Sequence, residues 1–75
     1  MTVEQIEQII RVEKIKIKEL GLLGKPHIIH WSFQNWEVFK DLVGFYGLYV
    51  KDTQIVNFMG LTHRLNKRIK AWKVV

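Results

Sequence analysis

Five cations crowd the end of this chain. Arg64, Lys67, Arg68, Lys70 and Lys73 follow one another with no acid between them, and His63 and Asn66 stand in the same stretch. Arg and Lys donate to phosphate oxygens or to guanine O6 and N7, and Asn pairs with adenine N6 and N7. That is the chemistry of nucleic-acid recognition. Residues 1–61 do not share the bias, since they hold seven basic and seven acidic side chains, so the whole formal charge of +5 belongs to the last fourteen residues. Charge concentrated in this way makes a local positive potential that draws a polyanion, whereas scattered charge mainly aids solubility.

Other chemistries have less to stand on. His27 and His30 form an H-x-x-H pair, and His63 is a third imidazole, but there is no Cys and no repeated ligand spacing. Metal ligands arrive in sets of three or four, so the histidines read as loop residues packed near Trp31, and no metal or cofactor is expected. Ser32, the three His and the acids form no nucleophile and base set, and no Gly-rich phosphate loop is present; the chain does not read as an enzyme. Trp31, Phe33, Trp36, Phe39, Phe45, Tyr46 and Tyr49 resemble a base-stacking platform in composition. Their helical spacing assigns them to a core instead.

The elements that must position these residues fit in one domain, residues 1–75. A chain of this length buries only about 60% of its unfolded surface, so its core must be dense, and a composition that is 48% hydrophobic with three Trp and four Phe supplies the volume. With no Cys there is no disulfide framework, which fits a reducing compartment. No apolar run approaches the roughly 18 to 20 residues of a membrane span, and "MTVEQIEQ" lacks the basic and then apolar order of a signal peptide. The expectation is a soluble cytoplasmic protein that does not engage a membrane.

Thr2 and Gln5 form a capping box, and Val3, Ile6, Ile9, Ile10, Ile17 and Leu20 then share one helical face, with Glu13 the intruder and Gly21 placed to end the helix. Ile15 to Lys18 also alternates like a strand, so a helix that stops near Arg11 and passes into a strand stays open. Val12 and Ile15 face away from the stripe, which predicts that the first helix pairs with a second copy of the chain. "GLLGKPHIIHW" reads as a connector. Ser32 caps a second helix in which Trp36, Phe39, Val43 and Tyr46 face inward, and Gly47 closes it. Asp52 or Thr53 caps a short third helix, "TQIVNFM", Gly60 makes a turn, and Thr62 caps a last helix that runs to about Trp72. The expected fold class is all-α, about four helices.

The order of short helix, "MGLT" and basic helix is that of a helix-turn-helix, in which the second helix enters the major groove. "TQIVNFMGLTHRLNKRIKAW", residues 53–72, resembles the helix-turn-helix DNA-binding proteins of bacterial and phage repressors. At 100° per residue, a last helix whose Leu65, Ile69 and Trp72 face the core turns His63, Lys67 and Lys70 to the opposite face, with Arg64 and Asn66 on its shoulders and Arg68 and Lys73 nearer phosphates. Duplex DNA is thus the expected partner of a small transcriptional regulator or mobile-element accessory factor. RNA binding, and an interaction module that docks on an acidic protein surface, are the alternatives.

Overall fold

The computed structural model describes residues 1–19, 27–50 and 54–75. Two helices and four strands follow in the order α1 (Val3–Glu19), β1 (Ile28–Trp31), α2 (Phe33–Phe45), β2 (Ile55–Phe58), β3 (Leu61–Leu65) and β4 (Trp72–Val74). The strands form one mixed sheet in the order β2-β3-β1-β4. β1 lies parallel to β3, while β4 and β2 run antiparallel along the two edges. This α/β arrangement corrects the all-α expectation of four helices.

The helical half follows from its periodicity. Thr2 N–H donates to Gln5 Oε1 at 2.8 Å and Gln5 N–H donates to Thr2 Oγ1 at 3.2 Å, so the capping box is closed from both sides. Ile6, Ile10 and Ile17 are buried together with Glu13, and the helix continues through the alternating segment to Glu19. Glu13 is tolerated because Lys16 Nζ lies 3.2 Å from one carboxylate oxygen and His27 Nε2 lies 3.3 Å from the other. Leu20 and Gly21 fall outside the described residues, as do the proposed caps Asp52 and Thr53. In α2, Ser32 Oγ accepts the Asn35 N–H at 3.3 Å. At its far end Gly47 takes φ +77°, and Leu48 N–H reaches back to the Val43 carbonyl at 3.1 Å.

The second half is built on period 2. "IVNF" and "LTHRL" pair as a hairpin in which Phe58 faces Leu61, leaving Met59 and Gly60 as a two-residue turn. Both have positive φ, +55° and +76°, the combination that a type I′ turn needs to match strand twist. No helix-turn-helix exists in this segment: residues 55–58 and 61–65 are strands. Leu61 and His63 therefore point the same way as Phe58 of β2 and Ile29 and Trp31 of β1, and all five are buried. Helix α2 packs on that face, and α1 packs against α2 with its isoleucines in the same core. Phe39 of α2 is the hub, with its ring 4.5 Å from the His63 ring, 5.9 Å from Phe58 and 6.2 Å from Trp31, centroid to centroid. Trp31, Trp36 and Phe39 are core, whereas Phe33, Phe45, Tyr46 and Tyr49 are exposed, so the expected inward stripe of α2 ends at Val43.

Candidate nucleic-acid interface

Alternation fixes which side chains occupy the sheet face that the helices leave open. Ile28 and His30 of β1, Ile55 and Asn57 of β2, Thr62 and Arg64 of β3, and Lys73 of β4 all lie opposite the buried set. Register aligns four of them in one row across the sheet. Ile55 faces Arg64, Arg64 faces His30, and His30 faces Lys73. Neighbouring strands lie about 4.8 Å apart, so the backbones at Arg64 and Lys73 stand about 10 Å apart, with the imidazole of His30 between them. Burial and those two cations together hold the His30 pKa below its usual value, burial being the larger cause.

The segment after β3 extends this surface and is tied down firmly. Asn66 N–H donates to the Trp31 carbonyl at 2.8 Å, its side-chain amide meets His30 Nδ1 at 3.2 Å, and its Oδ1 accepts the Arg68 N–H at 3.0 Å. Further on, the Ala71 carbonyl accepts from Ser32 N–H at 2.9 Å and from Asn35 Nδ2 at 3.0 Å. The loop is thereby anchored to the end of β1 and to the start of α2. Between loop and sheet lies a depression of about 550 Å³, walled by His30, Gln54, Arg64, Asn66, Lys67 and Arg68 around Leu65. Lys67 also rests over the half-exposed Phe33 ring, Nζ to centroid 5.9 Å.

Of the seven residues singled out in the sequence, the structure brings Arg64, Asn66, Lys67 and Arg68 to one depression and sets Lys73 two strands from Arg64. Lys70 is exposed on the same loop but does not line the depression. His63 is placed oppositely to expectation. It is 0% exposed, accepts the Trp31 Nε1–H on Nδ1 at 3.1 Å, and donates from Nε2 to the Phe58 carbonyl at 3.1 Å, the neutral tautomer that these partners require. Burial pushes its pKa down to about 4, against a smaller opposing effect of the Phe58 carbonyl. It belongs to the core and cannot touch a ligand. The helical wheel set it outside because a 100° step separates His63 from Leu65, whereas the 180° step of a strand puts them on one face.

His30 and Gln54 were not among the expected residues. The signal for His30 was its parity in "HIIHW": it stands one step from both Ile29 and Trp31 and so falls on the face opposite them. Among the described residues the ion pairs join Arg11 to Glu7, Lys16 to Glu13 and Lys40 to Glu37, and His27 Nε2 also lies against Glu13. None of Arg64, Lys67, Arg68, Lys70 and Lys73 takes part in one. Also among the described residues, no cluster of three or more metal-ligating side chains occurs and no helix is long and apolar enough to cross a membrane. In comparisons with known proteins, no family model, no curated protein and no solved structure matches this chain.

Proposed function

We propose that this protein binds nucleic acid by its phosphate backbone, through the open face of the sheet and the loop that follows β3. The observation that carries the reading is the gathering of Arg64, Lys67, Arg68 and Lys73 around one surface, without an acidic partner among the described residues. Unpaired cations at such density repel one another, and a polyanion relieves that repulsion while releasing its own counterions. The seven strand positions on the open face include no Phe, Tyr or Trp, and His30 is the one ring among them, so a platform for stacking successive bases is not what this surface offers. Backbone contact to a duplex is the better match, and duplex DNA is the first ligand to try.

Fluorescence anisotropy of a labelled random-sequence duplex, titrated at 50 and 200 mM salt, tests this. With four or five phosphate contacts, log Kobs should fall with log salt at a slope of about −4, a loss of roughly 10²-fold between the two conditions. Arg64→Glu with Lys73→Glu should flatten that slope by about 2. No binding at 50 mM salt removes the proposal. If the chain instead captures an acidic protein and ignores DNA and RNA alike, the surface serves protein docking.

A further inference from the structure

The depression beside His30 offers more donors than one backbone phosphate can accept. A phosphodiester carries a single charge and two free oxygens, whereas a terminal phosphate carries nearly two charges and three acceptor oxygens. Arg64, Arg68, Lys67 and Gln54 line the depression, and each carries N–H donors. His30 adds a donor of defined tautomer. Because Asn66 Oδ1 is engaged by the Arg68 N–H, the Asn66 amide must present its N–H to His30 Nδ1, which makes Nδ1 the acceptor and leaves the ring proton on Nε2. Lys73 and Arg64 on either side discourage a second proton. The same Asn66 fixes the position of the Arg68 backbone, so the turn and the imidazole are set by one side chain.

From this we infer that the depression is a subsite for a terminal phosphate monoester, held by Arg64 and Arg68 with His30 Nε2–H as a further donor. Arg forks suit the planar, bidentate recognition of phosphate oxygens. A volume of about 550 Å³ exceeds that of a phosphate alone and lies in the range of small-ligand sites, so the attached sugar has room as well. Two sources present this chemistry: the phosphorylated end of a nucleic acid and a free nucleotide. The choice of a nucleic-acid end rests on the backbone-binding reading above.

The experiment compares one short duplex in three forms, with 5′-phosphates, with 3′-phosphates and with hydroxyl ends, in the wild type and in Arg68→Gln, and adds a nucleoside monophosphate as competitor. One phosphorylated form should bind at least about tenfold tighter than the hydroxyl form, a gain of about 1.4 kcal/mol. In Arg68→Gln that ratio should drop below about twofold, while the amide spectrum shows the fold intact. Equal affinity for all three forms overturns the subsite and leaves backbone binding standing. A monophosphate that competes as well as the phosphorylated duplex supports the subsite with a free nucleotide as its ligand. Binding of the monophosphate without any duplex binding keeps the subsite and ends the nucleic-acid reading; no binding of either ends both.

Discussion

Acidification should destabilise this protein through His63. The imidazole is fully buried, and its pKa falls from 6.5 in an unfolded chain to about 4 in the fold. Between those values the unfolded state holds the extra proton, so stability is complete above the unfolded pKa and declines as pH falls toward the folded one. At about 1.4 kcal/mol per pKa unit, the full effect is about 3–4 kcal/mol, most of it lost by pH 4.5. A domain of this size has a total stability of only about 4–11 kcal/mol, so the loss is a large fraction. Protonation has a second cost, since a proton on Nδ1 would face the Trp31 indole N–H donor 3.1 Å away. Urea unfolding between pH 7 and pH 4.5 should be run on the wild type and on His63→Asn, which keeps a carbonyl acceptor for the indole. The variant should be less stable at pH 7 but should lose about 2–3 kcal/mol less on acidification. Equal pH dependence of the two proteins would refute the reasoning, as would a His63 ring signal titrating near pH 6.5 in the folded protein.

Phe39→Ala removes the ring on which His63, Phe58, Trp31 and Trp36 converge and should cost about 3–5 kcal/mol in urea unfolding; a loss under about 1 kcal/mol would contradict the placement of the core. Gly60→Ala meets no neighbour within 4 Å but forces a side chain onto φ +76°, so it should cost about 1–2 kcal/mol, and an unchanged urea midpoint would argue against the hairpin turn. Val12 and Ile15 are 37% and 54% exposed on α1. Self-association through that face is the expectation, checked by sedimentation equilibrium of the wild type against Val12→Lys; a clean monomer in both at high concentration contradicts it.

The helices were legible because their signals are redundant. In α1 the Thr2 and Gln5 pair, the isoleucine stripe and the opposed Glu7 and Arg11 agree with one another, and in α2 Ser32 and Gly47 bracket the aromatic run. Glu13, which broke the stripe, meets a side chain fourteen positions later, with His27 Nε2 3.3 Å from its carboxylate. The strands were hidden because they span only three to five residues, too few for one period to exclude the other. Leu65, Ile69 and Trp72 match i, i+4, i+7 by coincidence: Leu65 ends β3 and Trp72 begins β4, and both pair with Trp31 on the inner face. Met59-Gly60 was a hairpin turn in disguise, since the first position carries Met in place of the usual Asn or Asp. For the candidate site, charge counting singled out Arg64, Lys67, Arg68 and Lys73 whatever the local fold, because the absence of acids is a property of composition. The position of His63 and the contribution of His30 depend on strand parity, and that needed the sheet.

Amide chemical-shift mapping with an unlabelled duplex at low salt tests the central claim most directly. The account predicts shifts at His30, Thr62, Arg64, Asn66 to Arg68 and Lys73, with α1 and the buried strand positions unmoved. Shifts confined to the helices, or none at all, would contradict it.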